Sequence, residues 1–272
     1  MVLLAGVGLL GGLLAGWLGL GGGIILGPLL LYLPPAAGLS PLDMKEVARL
    51  TIVQSLFSSA AAGIAHRRAN NVHGPVVLWM GPTIATASLA GAIVSEWEIL
   101  SSRALLGLFA SLALLAAVLM CVRSPRGCAH LPYDPAESQH LPAGCAPPAP
   151  PLARGRAVSV AAVVGVLGGM VGQSGAFLTI PLLVHVLRLP VRLAIGSSLG
   201  ITFCAALAGS LGKIAGGAPM VWTHVAALVA GSLTGSQLGT ALNRRGPTLF
   251  LRVALAVLIG ASAVKMWWEV LR

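Results

Sequence analysis

The reading of the fold turns on Gly16-Trp17-Leu18-Gly19-Leu20-Gly21-Gly22-Gly23-Ile24-Ile25-Leu26-Gly27-Pro28, a glycine-studded stretch inside an apolar run. Three adjacent glycines are a poor helix interior, each costing about 1 kcal/mol relative to alanine. The expected outcome is a broken helix with free backbone N–H groups at membrane depth. Irregular backbone is tolerated there only where it is buried in protein or lines a watery cavity. A helix resuming at Ile24 points its N-terminal amides and positive dipole end into that cavity, which suits an anion. Tight packing of small residues is the other reading. It accounts for Gly231, Gly235 and Gly239 on one helix better than for Gly21, Gly22 and Gly23 in a row.

The surrounding composition sets the medium. Of 272 residues 57% are hydrophobic and 9% charged, and the first charged residue is Asp43. Soluble domains carry about 25% charged residues, so a soluble globular protein is excluded and an integral membrane protein is expected. The apolar runs are apolar on all sides, which selects helices over the alternating strands of a membrane barrel. They fall at 2–18, 24–33, 47–65, 75–95, 104–122, 157–172, 177–187, 193–212, 219–242 and 248–268. A span needs about 20 apolar residues, which allows roughly eight to ten crossings and leaves no room for a separate soluble domain. No Lys or Arg precedes the opening run, so it reads as a membrane segment rather than a cleavable signal.

The chain repeats itself. Gly12, Gly16, Gly19 and Gly22 recur 153 positions later as Gly165, Gly169, Gly172 and Gly175, and Pro28-Leu29-Leu30 recurs as Pro181-Leu182-Leu183. Ala48-Arg49-Leu50-Thr51 lies against Ala194-Ile195-Gly196-Ser197, with a shorter connector in the second half. The expected organisation is a first membrane repeat over 1–122, a linker over 123–156 and a second repeat over 157–272. Ala146-Pro147-Pro148-Ala149-Pro150-Pro151 in the linker cannot continue a helix. Duplications of this kind are common in transporters, whose substrate site lies between the repeats near the bilayer midplane.

The formal net charge is +10. Most of it sits in short connections, the pattern of cytoplasmic loops rather than of a nucleic-acid surface. With five segments per half, Arg67, Arg68, Arg123, Arg126, Arg154, Arg156, Arg188, Arg192, Arg244, Arg245 and Arg252 share one side. Lys45, Arg49, Arg103, Lys213, Lys265 and Arg272 share the other. Eight simple crossings divide the same cations nearly evenly. The positive-inside rule therefore favours ten segments, an odd number per half, and so an inverted repeat. The fold class expected is an all-α integral membrane protein of two inverted halves, each opening with a discontinuous helix.

The carboxylates Asp43, Glu46, Glu96, Glu98, Asp134, Glu137 and Glu269 all fall at segment ends or in loops on this reading. Cation transporters and proton pumps keep ionisable groups inside the bundle, so the interior is expected to serve an anion through amides and hydroxyls. The candidate substrate-binding residues are Gly21, Gly22, Gly23, Arg49, Thr51, Gln54, Gln173, Ser174, Gly175, Ser197 and Ser198, with Ser55 and Thr202 also facing inward. Arg49 and Lys213 are expected to reach the interface by snorkelling. His66 and His73, around Arg67 and Arg68, read as a solvated loop, and His185 and His224 as structural. Cys121, Cys128 and Cys145 with His130 and His140 lack a CxxC unit, so no metal and no cofactor is expected. No P-loop, zincin helix or hydrolase elbow occurs, which removes an ATP-driven pump by itself and leaves a membrane enzyme or assembly partner as rivals.

These residues resemble the sulfite exporter TauE/SafE family. The Gly-Gly-Gly segment followed by Pro28 is similar to its first motif, and Ala194-Ile195-Gly196-Ser197-Ser198 to its Ala-x-Gly-Thr/Ser-Ser pattern. The chain departs at Gln173-Ser174-Gly175-Ala176, where the family repeats its glycine cluster, and at Arg49-Leu50-Thr51-Ile52. The resemblance implies a multi-pass transporter of the bacterial inner membrane that exports sulfite or an organosulfonate such as sulfoacetate. The partners expected are that small anion and the lipid bilayer, with no nucleic acid and with association as a homodimer left open.

Overall fold

The computed structural model describes residues 2–18, 23–36, 38, 40–97, 100–121, 151–175, 178–180, 183, 187, 189, 191–217, 220–243 and 248–271. Its helices are α1 (Val2–Leu18), α2 (Gly23–Ala36), α3 (Met44–Arg68), α4 (Gly74–Glu96), α5 (Ser102–Cys121), α6 (Pro151–Val171), α7 (Val191–Ala215), α8 (Trp222–Asn243) and α9 (Thr248–Leu271). No strand occurs among the described residues. Among the described residues four segments, Met44–Arg68, Gly74–Glu96, Leu193–Ala215 and Trp222–Leu242, are long and apolar enough to cross a membrane. Leu3–Trp17, Ile25–Pro35, Ser102–Val118 and Val158–Val171 are shorter apolar helices. Trp79, Trp97, Trp222 and Trp268 stand exposed near helix ends, where aromatic side chains meet the bilayer interface.

Two helix boundaries depart from the apolar runs for local reasons. α6 begins at Pro151, inside the segment read as linker. Proline suits a first helical turn, where its missing N–H would have had no partner. α3 continues past its apolar run to Arg68 and ends with His66, Arg67 and Arg68 in its last turn. Cations there complement the negative end of the helix dipole. The chain leaves through Ala69 and through Asn70, which has φ +53°. His66 is therefore not in a solvated loop: it is helical, 2% exposed, and its Nε2 lies 3.2 Å from the Gly16 carbonyl oxygen.

Six helices pack in the order α1, α8, α3, α7, α4, α6. Small residues set the approach at both ends of this row. Gly8, Gly12 and Gly16 of α1 lie directly on the backbone of Leu228, Ser232 and Ser236 of α8, so the two helices run parallel. At the other end Gly169 lies on Ser88 and Gly91 on Val166. In the centre Gly63 faces Leu199 and Gly209 faces Ile52, so α3 and α7 run antiparallel. α4 and α7 are parallel, with Gly81 at Cys204 and Ala92 at Gly212. α5 packs on α9 beside the row, and Tyr32 of α2 hydrogen-bonds Glu269 of α9 at 3.1 Å with Lys265 over its ring. Among the described residues one buried cluster joins both halves through Met80, Ile84, Phe109, Leu178 and Ile201.

Candidate functional site

The site begins where α6 stops. Gly172, with φ +77°, follows Val171, and the Gln173 amide donates to the Gly168 carbonyl at 2.8 Å while the Gly172 amide reaches Gly169 at 3.3 Å. This pair of bonds is the Schellman cap, which needs a left-handed residue just past the helix end. Gly172 also touches Ala48 of α3 too closely for any side chain. Ser174 follows with φ +54° and Gly175 with φ +64°. A non-glycine residue at positive φ is uncommon and such strain gathers at ligand sites. The amides of Leu178 and Thr179 then return to the Gly175 carbonyl.

This turn meets both α3 and the start of α2. The Thr51 hydroxyl lies 3.0 Å from the Gly172 carbonyl and 2.8 Å from Val47 in its own helix. Gln173 Nε2 donates to the Gly23 carbonyl at 3.0 Å, 150 residues away in sequence. A Cβ on Gly23 would stand 3.3 Å from Ser55 Oγ and 3.5 Å from Gln173 Cα. Thr51, Gln54, Ser55 and Ser58 fall within roughly 100° of one another around α3. All four are buried.

Several polar atoms in this region are buried without a hydrogen-bond partner among the described residues. They are both amide atoms of Gln54 (0% exposed), Oε1 of Gln173 (2%) and the Ser174 hydroxyl; Ser88, Thr202 and Ser210 are in the same state elsewhere in the bundle. Burying an unpaired polar group costs about 1–3 kcal/mol. Native interiors keep few of them, so a cluster of this kind is chemically meaningful.

The remaining candidates lie apart. Ser197 accepts a hydrogen bond from the His73 amide at 2.9 Å, and Ser198 bonds back to Ile195 at 2.7 Å. With α3 and α7 antiparallel, Ser197 is at the level of Ile64, roughly 14–20 Å along α3 from Thr51 and Ser55. Gly21 and Gly22 lie outside the described residues, as do His185 and the linker residues Cys128, Cys145, His130 and His140. Arg49 is on the other face of α3 from Gln54, and its Nε is 3.4 Å from Glu96. His224 Nδ1 lies 4.0 Å from Glu46.

Two expectations from the sequence need correction at this end of the bundle. Glu96 does close α4, but its side chain is 4% exposed, so a buried carboxylate exists after all. Lys213 does not snorkel: its side chain is 0% exposed and donates to Glu96 at 2.9 Å and to Ser95 Oγ at 2.6 Å. The three side chains tie α3, α4 and α7 together. Nothing in the separation of Glu96 from Lys213 by 117 positions marks this pairing in the sequence.

The comparisons agree over the length of the chain. The family model described as "Sulfite exporter TauE/SafE" matches residues 4–266. The curated protein "Probable membrane transporter protein YunE" of Bacillus subtilis (strain 168) is 29% identical over 284 residues, covering 97% of each chain. No solved structure gives a significant match.

Proposed function

The chain belongs to the sulfite exporter TauE/SafE family, and from that premise we propose that it exports a small sulfur-containing anion, sulfite or an organosulfonate such as sulfoacetate, across the bacterial inner membrane by secondary transport. As a family member it is a membrane transporter. The observation that carries the substrate reading is the bond from Gln173 Nε2 to the Gly23 carbonyl. It joins the glycine-rich stretches of the two halves beside Ser55, at a side chain whose Oε1 is unpartnered among the described residues, next in sequence to the unpartnered Ser174 hydroxyl and with the unpartnered Gln54 amide one position from Ser55 on α3.

In this reading 1–122 and 157–272 are inverted repeats joined by 123–156, and each opens with a discontinuous helix. Support comes from the antiparallel packing of α3 on α7, its counterpart in the duplication, and from the recurrence of one contact. Gly91 on Val166 matches Gly239 on Leu13, with Leu13 and Val166 equivalent in the repeat. Gly21, Gly22, Gly23, Thr51, Gln54, Gln173, Ser174 and Gly175 form the anion site. Ser197 and Ser198 are the second-half counterparts of the Thr51 region, and Arg49 supplies positive potential. The inside-negative membrane potential supplies about 2.3 kcal/mol per charge per 100 mV toward anion exit, so no nucleotide is needed.

Flux of sulfite from proteoliposomes under an imposed potential tests the reading. Gly22→Leu should block it, and Gln54→Ala should weaken sulfite binding by roughly ten- to a hundredfold, the loss of an amide donor to a charged ligand. Tighter binding of acetate than of sulfite, sulfate, thiosulfate and sulfoacetate would move the assignment to another small anion.

A further inference from the structure

The polarity of one buried amide narrows that reading, on which this inference rests. Gln173 has only one acceptable orientation: Nε2 must face the Gly23 carbonyl, because the flipped amide would set two carbonyl oxygens against each other. Its Oε1 is thereby committed as an acceptor, in a side chain 2% exposed, with no donor among the described residues. Gln54 likewise holds a buried carbonyl oxygen and a buried amide nitrogen with no partner for either among the described residues. Ser174 adds a hydroxyl held by a left-handed backbone.

A fully deprotonated oxyanion wants donors alone. A bare carbonyl oxygen in a low-dielectric site repels it, while an acceptor that stays unpaired is costly in its own right. We infer that the anion recognised at this site carries its own hydrogen-bond donor, which it gives to the carbonyl of Gln173, and that Gln173 is thereby a specificity-determining residue. Hydrogensulfite and hydroxylated sulfonates meet this requirement. The sulfite dianion and donor-free sulfonates do not, so within that reading sulfoacetate, with both acid groups ionised, is disfavoured against hydrogensulfite. The amide nitrogen of Gln54 and the Ser174 hydroxyl then serve the charged oxygens, so both sides of the site's hydrogen-bonding are used.

Two pairs of monoanions with equal numbers of heavy atoms isolate the donor: hydroxymethanesulfonate against ethanesulfonate, and glycolate against propanoate. Binding of each to the purified full-length protein is measured by calorimetry, for the wild type, Gln173→Met and Gln54→Leu. The expected result is about tenfold tighter binding of the hydroxylated member in the wild type, as for a buried acceptor gaining its donor. Gln173→Met should reduce that preference to less than about threefold. The wild-type comparison stands even if Gln173→Met fails to fold, since that variant also loses the bond to Gly23. Equal binding within the sulfonate pair overturns the inference and leaves the sulfur-anion reading standing. A preference for glycolate with neither sulfonate bound does the reverse. Binding of none of the four overturns both.

Discussion

Glu96→Gln is the perturbation whose cost the structure fixes best. The substitution keeps the shape and removes the charge that balances Lys213, whose ammonium has Glu96 at 2.9 Å and Ser95 at 2.6 Å and a side chain wholly out of contact with solvent. A lysine able to snorkel would swing its head to water and lose little. Lys213 has no such route in the packed bundle, so the variant leaves an uncompensated buried charge, which costs about 3–5 kcal/mol. At about 2–4 °C per kcal/mol for chains of 150–250 residues, the melting temperature should fall by roughly 6–20 °C. Lys213→Met should cost less, because Glu96 keeps Arg49 at 3.4 Å. The double variant should recover about 2–3 kcal/mol of the summed losses, the coupling expected of direct partners. The assay is thermal unfolding of detergent-purified protein followed by tryptophan fluorescence. A fall of less than about 2 °C for Glu96→Gln, or simple additivity in the double variant, would refute the reasoning.

Gly91→Ala and Gly239→Ala each drive a methyl group into a facing backbone carbonyl, that of Val166 and that of Leu13. Each should lose about 1–3 kcal/mol of thermal stability by overpacking, and by similar amounts because the contacts correspond. Asn70→Cys and Gly217→Cys flank opposite ends of the α4–α7 pair and should react with an impermeant thiol reagent from opposite faces of the membrane. The His73 imidazole, outside the spans, is held below its ordinary value of 6.5, with burial outweighing the opposing bond to its own backbone. The unfolded chain then binds the extra proton first, so His73's contribution is fully present above about pH 6.5 and lost as pH falls below it. Melting temperatures measured downward from pH 7 should decline less steeply in His73→Gln.

The helices were legible because a membrane helix must be apolar over its whole length, and the runs around 47–65 and 75–95 announce α3 and α4 without help from any partner. Their ends were less legible. His66 looked like loop because it neighbours Arg67 and Arg68, yet nothing in those residues breaks a helix until Asn70. Pro151 looked like linker because prolines precede it, but the same residue is favourable at a helix start. The buried ion cluster was invisible for another reason. Glu96 and Lys213 each sit near a segment end, where charge is ordinary, and only the parallel packing of α4 on α7 turns those two ends into one interior. The meeting of Gly23 with Gln173 lies between these cases. The duplication marked both stretches as equivalent, but their contact follows from how the halves pack, not from either motif alone.

The two readings of the glycines, packing and helix break, separate residue by residue. Gly12 and Gly16 rest on α8, and Gly165 and Gly169 on α4, so those four are contact glycines whose task is to let backbones touch. Gly172 has a different task. Its left-handed backbone ends α6, and its approach to Ala48 sets that end against α3. The two tasks depend on each other, because a helix end is positioned only as well as the helix behind it. Gly169, seated on Ser88, fixes the last turn of α6, and the Schellman bonds carry that placement forward to Gln173 and so to the amide that reaches Gly23. A bulky residue at Gly169 would therefore displace Gln173 without touching it. Conversely, the turn that carries Gln173 and Ser174 is held in place by the helices packed around it. That is the condition under which an amide can be kept in one orientation inside a membrane.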